Sequence, residues 1–133
     1  TGALETFRLL TNLRSGDGPA FTFLLVGQMG LLSSIARQPT LDERLAVKTL
    51  VRGFTADETA RYVRHRTAAA GTDRDLFTDE ALQKLHSLAG GVARRINRLA
   101  DLALVVGFAG AAPQIGPDQL DAVHQELVTL GGD

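Results

Sequence analysis

Signals that start and end helices recur along the second half of this chain, and they constrain its fold more than any other feature. Thr55 and Glu58 have the spacing of a capping box, in which the hydroxyl and the carboxylate satisfy each other's backbone N–H groups. Thr78 is placed to cap a second helix. Gly90-Gly91 ends that helix, and Pro117 suits the first turn of a later one. Apolar residues at helical spacing between these signals predict four helices, over about 55–70, 78–89, 92–109 and 117–130.

The first half of the chain has a different pattern. Residues 3–14 are predicted to form an amphipathic helix, and a short helix is predicted over about 29–37. Residues 21–26 are apolar and β-prone, as in a strand buried on both faces of a parallel sheet, and residues 45–51 predict a second strand. Two strands cannot bury a sheet, so part of the sheet is expected to be missing.

These patterns predict a mixed α/β fold that is mostly helical. A truncated parallel α/β sheet portion is expected over residues 1–53, followed by a four-helix bundle over residues 54–130. The chain opens without a methionine inside an amphipathic pattern, and we interpret it as an excerpt from a longer protein.

Composition excludes several classes of function. The chain has 133 residues, 44% of them apolar and 22% charged, which is typical of a globular domain. Its net charge of −1 gives no reason to expect nucleic acid or an anionic membrane as the main partner. It has no cysteine, which excludes disulfides and thiolate metal sites. No apolar stretch is long enough to predict a membrane span.

The residues for phosphate binding and for common catalytic chemistries are absent from the sequence. A P-loop needs two glycines followed by Lys and Ser or Thr, and neither Lys48 nor Lys84 has that context. No apolar run ends in the Asp-Glu pair of a magnesium-binding strand. The three histidines, His65, His86 and His124, fall on three different predicted helices, so no metal site is expected. The chain alone is therefore predicted not to hydrolyse nucleotides.

Several polar residues are candidates for a site that the chain shares with other parts of a larger protein. Gln28 follows the first predicted strand, at the end where open α/β sheets bind ligands, and Arg44 precedes the second. Arg94 is expected in the first turn of a helix, where the dipole disfavours a cation unless an anion binds nearby. For each, an ordinary loop or surface role is the alternative.

A stripe of basic residues lies within the first helix of the predicted bundle. It contains Arg61, Arg64 and Arg66. We interpret it as a solvated face rather than a nucleic-acid surface, because the chain is not basic overall and Glu58 is expected to pair with Arg61.

Taken together, several segments resemble the C-terminal portion of an AAA+ ATPase domain of the general secretion pathway protein A family. The resemblance covers about residues 3–125, from the sensor-1 strand to the helical lid. The matching segments are residues 9–13, 23–28, 44–45, 58–66, 76–82 and 90–97. Each is weak alone, but their order and spacing follow the family.

The resemblance implies specific roles. Gln28 would be sensor 1, Arg44 an arginine finger offered to a neighbouring subunit, and Arg94 sensor 2, with Arg95 as the adjacent candidate. Tyr62 would flank the adenine. ATP and Mg²⁺ would be cofactors of the full-length protein, and no cofactor is expected on this chain alone.

The resemblance also implies partners and a location. The expected partners are the remainder of the ATPase domain, neighbouring subunits of a homo-oligomer and proteins of the secretion apparatus, but not nucleic acid. A cytoplasmic location is expected, with anchoring of the parent at the inner membrane left open. Two alternatives remain: the lid of a DNA-remodelling AAA+ ATPase, as in transposition or replication initiation, and a helical interaction module without a nucleotide role.

Overall fold

The computed structural model describes residues 2–130, which divide between Leu50 and Val51 into two compact units. We call them the N-terminal unit and the helical unit. The regular structure of the described residues consists of seven helices and one two-stranded antiparallel ladder. The prediction of a mixed, mostly helical fold is therefore confirmed.

The N-terminal unit is built from three helices and a short hairpin. The elements are α1 (Gly2–Leu10), β1 (Arg14–Ser15), β2 (Gly18–Pro19), α2 (Met29–Ala36) and α3 (Pro39–Asp42). The hairpin turns at Gly16, whose positive φ of 60° suits glycine. Helix α3 packs against both α1 and α2, and the buried side chains among the described residues of this unit are Ile35 and Leu41.

The two segments predicted as parallel strands form no backbone ladder within residues 2–130. Residues 21–26 and 45–51 contain neither strand nor helix. Leu24 is 86% exposed and Val26 is 84% exposed, so the expectation that this segment is buried on both faces is wrong for the described chain. The physical reason is that a strand is defined by hydrogen bonds to a neighbour and buried by what covers its faces. Among the described residues neither segment has such a neighbour.

The helical unit contains the four predicted helices. They are α4 (Ala56–Ala69), α5 (Asp79–Ala89), α6 (Ala93–Ala109) and α7 (Pro117–Leu130). The capping box is present: Glu58 N–H donates to Thr55 Oγ1 at 3.2 Å, and Thr55 N–H donates to Glu58 Oε2 at 2.8 Å. Thr78 Oγ1 likewise accepts from Ala81 N–H at 3.2 Å. The local signals in the sequence therefore set the helix starts as predicted.

The core of the helical unit lies around α5, which packs against α4, α6 and α7. Its largest fully buried side chains are Leu82, Leu85, Ile96 and Leu120. Val106 is 42% exposed, because it lies at the edge of the buried face of α6, which continues through Ala103 to Gly107. No helix within residues 2–130 combines the length and the apolar character needed to cross a bilayer.

Candidate functional site

The turn between α5 and α6 brings the start of α6 close to the backbone that precedes α4. Gly90 and Gly91 both have positive φ, 61° and 72°, which places them in the left-handed region that favours glycine. The Gly91 carbonyl accepts a hydrogen bond from Phe54 N–H at 2.8 Å. A Cβ atom at Gly91 would lie only 2.2 Å from Phe54 O. The backbone before α4 and the start of α6 therefore approach each other as closely as glycine allows.

Arg94 and Arg95 occupy the first turn of α6, as predicted, and both are exposed. The residue before the helix, Val92, provides no side-chain cap. Within residues 2–130 neither guanidinium forms an ion pair or a side-chain hydrogen bond. A cation in this position is disfavoured by the helix dipole. Both side chains are thus available to an anion at the positive end of a 17-residue helix.

Tyr62 on α4 reaches α6 through its hydroxyl. The O–H group donates to Asn97 Oδ1 at 3.0 Å, and the ring packs on Phe54 with centroids 5.0 Å apart. Arg66 donates to the same hydroxyl oxygen at 3.4 Å. That hydrogen bond, more than any other contact, lowers the pKa of Tyr62 from its ordinary value. The half-buried ring of Tyr62 is therefore held by its packing against Phe54 and by the hydrogen bonds at its hydroxyl.

Asn97 connects Tyr62 to the predicted anion-binding residues. It lies three residues after Arg94, so the two side chains stand on neighbouring parts of one face of α6. The structure thus brings Tyr62, Arg94 and Arg95 to the first two turns of this helix. Asn97 and Phe54 are not among the site residues predicted from the sequence. The helical spacing from Arg94 could have indicated Asn97, whereas nothing local indicates Phe54.

The other two candidates belong to the N-terminal unit. Gln28 precedes α2 with extended backbone (φ −75°, ψ 173°), and its exposed side chain forms no hydrogen bond within the described part of the chain. Arg44 is also exposed and donates from Nη1 to Thr11 Oγ1 at 3.1 Å. Gln28 is thus free to contact a ligand, while Arg44 is held by one of its nitrogens to the end of α1.

The expected pairing of Glu58 with Arg61 is wrong. Glu58 accepts from both Nη atoms of Arg52, at 2.7 and 2.8 Å, in addition to its role in the capping box. Arg61 pairs with Asp57 at 2.9 Å, four residues earlier on α4. The hydrogen bond from Arg52, followed by that from Thr55 N–H, lowers the pKa of Glu58 to about 2. The segment before α4 is therefore attached to the helix by charge as well as by backbone hydrogen bonds.

The basic stripe on α4 is compensated by acidic and polar neighbours. Arg61 pairs with Asp57, Arg64 lies against Asp75 and Asp79, and Arg66 donates to Tyr62. Each arginine of the stripe thus has a partner in the folded chain. These pairings favour the interpretation of the basic stripe as a solvated face. A nucleic-acid surface would instead present uncompensated positive charge.

The histidines lie on three different helices, as predicted. His65 is exposed on α4, and His124 is on α7. His86 on α5 lies with Nδ1 3.0 Å from the hydroxyl of the buried Thr59. Across residues 2–130, no three side chains of the types that bind metals come together in one cluster.

Comparison with known proteins supports the resemblance found in the sequence. The chain is 37% identical over 117 residues to general secretion pathway protein A of Aeromonas hydrophila. The match covers 86% of this chain and 21% of the relative, so the chain spans about a fifth of the relative's length. No protein-family model matches the chain, and no solved structure matches it. The resemblance inferred from the residues is confirmed by this relative.

Proposed function

Because the chain is homologous to part of general secretion pathway protein A, the family its residues predict, we propose that it forms the C-terminal portion of an AAA+ ATPase domain. In this proposal the N-terminal unit supplies the sensor-1 segment and the arginine finger. The helical unit is the lid that closes over ATP. The chain contributes sensors and lid to a site whose phosphate-binding loop lies elsewhere in the longer protein.

The proposal rests mainly on the position of Arg94 and on its lack of an acidic partner. Its guanidinium is exposed in the first turn of α6 and has no acidic partner within residues 2–130. An unpaired cation at the positive end of a helix is mildly unfavourable, and a bound anion would offset that cost. A sensor-2 arginine that contacts the γ-phosphate of ATP meets this requirement, and Arg95 lies beside it as a second contact.

The surroundings of Tyr62 support a place for the base of the nucleotide. Phe54 and Tyr62 form an aromatic pair, and Asn97 holds the tyrosine hydroxyl. All three lie close to the start of α6, where the phosphate contact is proposed. An adenine ring stacks readily on such aromatic faces. We therefore assign Tyr62 to the adenine side of the nucleotide.

In the N-terminal unit, we assign Gln28 to sensor 1 and Arg44 to the arginine finger. The free amide of Gln28 is suited to polarise the water that attacks the γ-phosphate. Arg44 is exposed and keeps one terminal nitrogen, Nη2, outside its hydrogen bond to Thr11. The exposed apolar side chains of Leu24 and Val26 fit a segment that further strands cover in the complete domain.

The complete protein would use ATP and Mg²⁺, act as a homo-oligomer and couple hydrolysis to assembly of a secretion apparatus. We place this activity in the cytoplasm. The chain itself carries no P-loop, since neither of its lysines follows the required glycines, and we expect no hydrolysis by it alone. The compensated arginines of α4 give no support to a DNA-remodelling role.

The test is ATP hydrolysis by the full-length parent, wild type beside Arg94→Ala, with ATP affinity measured for both. We expect the variant to lose at least roughly tenfold in turnover, because arginines that neutralise the transferring phosphoryl group contribute large factors to phosphoryl transfer.

Arg98→Ala is the matched control, because Arg98 is exposed one turn later on the same helix and has no ion pair within residues 2–130. Its turnover should stay within about twofold of wild type. If Arg94→Ala hydrolyses ATP as fast as Arg98→Ala, Arg94 is an ordinary surface residue. The helical interaction module would then be the better description.

A further inference from the structure

The start of α6, which carries Arg94, is not held by a side-chain cap of its own. Val92 provides no capping hydrogen bond there, whereas α4 and α5 begin at threonines whose hydroxyls accept one. A contact from outside the helix holds this start instead, since Phe54 N–H donates to Gly91 O at 2.8 Å. Whatever fixes Phe54 therefore also fixes the backbone three residues before Arg94.

The segment that contains Phe54 has no regular structure. Residues 51–54 form neither helix nor strand, and Arg52 and Gly53 are exposed. Gly53 brings no side chain to anchor the segment, and it lies so close to the turn between α5 and α6 that a Cβ atom would stand 3.1 Å from Gly90 O. A glycine also loses more conformational freedom on folding than any other residue. The position of Phe54 must therefore depend on neighbouring side chains.

Arg52 supplies an anchor for this segment. Its two terminal nitrogens donate to the two carboxylate oxygens of Glu58, at 2.7 and 2.8 Å, and Nη1 also donates to Gly53 O at 3.0 Å. A two-pronged arginine–carboxylate pair fixes orientation as well as distance. The same carboxylate accepts from Thr55 N–H, so Glu58 holds the chain on both sides of Phe54.

We propose that Arg52 is a positioning residue for Arg94. By clamping the segment before α4 onto Glu58, Arg52 holds the Phe54 amide against Gly91 and so limits the positions open to the first turn of α6. Arg52 is not among the nucleotide contacts assigned above, and its effect on ATP rests on the proposed function of Arg94. A misplacement of about 1 Å in an active site can cost about 100-fold in rate, so a clamp near this turn affects catalysis without touching the substrate.

Hydrogen exchange at the Phe54 amide tests the clamp in this chain without nucleotide. Arg52→Gln removes the ion pair, and Phe54 N–H should then exchange at least about fivefold faster than in the wild type. Arg61→Gln is the matched control, because Arg61 forms a similar ion pair with Asp57 on the same helix, outside the clamp. The side chains of Arg52 and Arg61 are 65% and 70% exposed. Exchange at Phe54 in the control should stay within about twofold of wild type.

ATP turnover by the full-length parent tests the link to Arg94, with Arg52→Gln made alone and together with Arg94→Ala. If Arg52 acts through Arg94, Arg52→Gln should lower turnover at least about threefold in the wild-type background and have little further effect in Arg94→Ala. Arg52→Lys keeps the charge but not the two-pronged geometry, so it should recover part of the loss. A general loss of folded protein would instead reduce turnover equally in both backgrounds.

Three outcomes would contradict different parts of this inference. Equal exchange at Phe54 in Arg52→Gln and Arg61→Gln would refute the clamp, whatever happens to ATP. Wild-type turnover in Arg52→Gln, or the same loss in both backgrounds, would refute the positioning role. Full activity of Arg94→Ala would refute the proposed function and with it the link from Arg52 to ATP, while exchange at Phe54 would still decide whether the clamp exists.

Discussion

Replacing Gly91 by alanine tests how closely the segment before α4 approaches the start of α6. The φ of Gly91 is 72°, and a non-glycine residue in this region costs about 1–2 kcal/mol. The new Cβ would also lie 2.2 Å from Phe54 O and 2.8 Å from Phe54 N. Since these are backbone atoms, the segment must move, at a cost of about 1–3 kcal/mol. We expect Gly91→Ala to lower the free energy of unfolding by about 2–5 kcal/mol.

Gly90→Ala is the matched control for the backbone term. Gly90 has nearly the same φ, 61°, but a Cβ there would meet no atom within 4 Å. It should cost only the conformational term of about 1–2 kcal/mol. The difference between the two variants therefore isolates the close approach to Phe54.

Thermal unfolding followed by circular dichroism at 222 nm measures this difference, because the helical unit supplies most of the helix. In a unit of this size, 1 kcal/mol shifts Tm by about 4–8 °C. Gly91→Ala should therefore melt at least about 4 °C below Gly90→Ala. Equal melting temperatures would show that the contact between Gly91 and Phe54 does not constrain the fold in solution.

Two further predictions concern the starts of α4 and α5. Glu58→Gln keeps a capping side chain but loses the ion pair with Arg52. Because the pKa of Glu58 is lowered from 4.5 to about 2 in the folded state, its stabilisation is present above about pH 4.5 and is lost as the pH falls through about 2. The Tm difference between wild type and Glu58→Gln should shrink over that range, and a pH-independent difference would contradict the assignment. Thr78→Ala removes the acceptor for Ala81 N–H and should cost about 1 kcal/mol, whereas Thr78→Ser should be close to wild type in denaturant titration. Similar losses in both variants would show that the hydroxyl is not the stabilising group.

Only part of the candidate site could be predicted from the sequence. Placement of Arg94 in the first turn of a helix followed from the Gly90-Gly91 signal and the apolar spacing after it, and the structure agrees. The contact between Tyr62 and Asn97 joins residues 35 positions apart, so it depends on how α4 packs against α6. Glu58 shows the same difference: its role in the capping box is local, while its choice of Arg52 over Arg61 depends on the path of the chain before α4.

Local chemistry therefore determined where the helices of this protein begin and end. A threonine hydroxyl and a nearby backbone N–H group are brought together by the helix itself, and a glycine can adopt positive φ wherever it stands. Tertiary structure alone decided which apolar segments become buried and which polar groups meet. Residues 21–26 have the composition of a buried strand, yet Leu24 and Val26 stay exposed within the described chain. A strand needs a neighbour to supply its hydrogen bonds and cover its faces, and no sequence pattern within the strand can supply that neighbour.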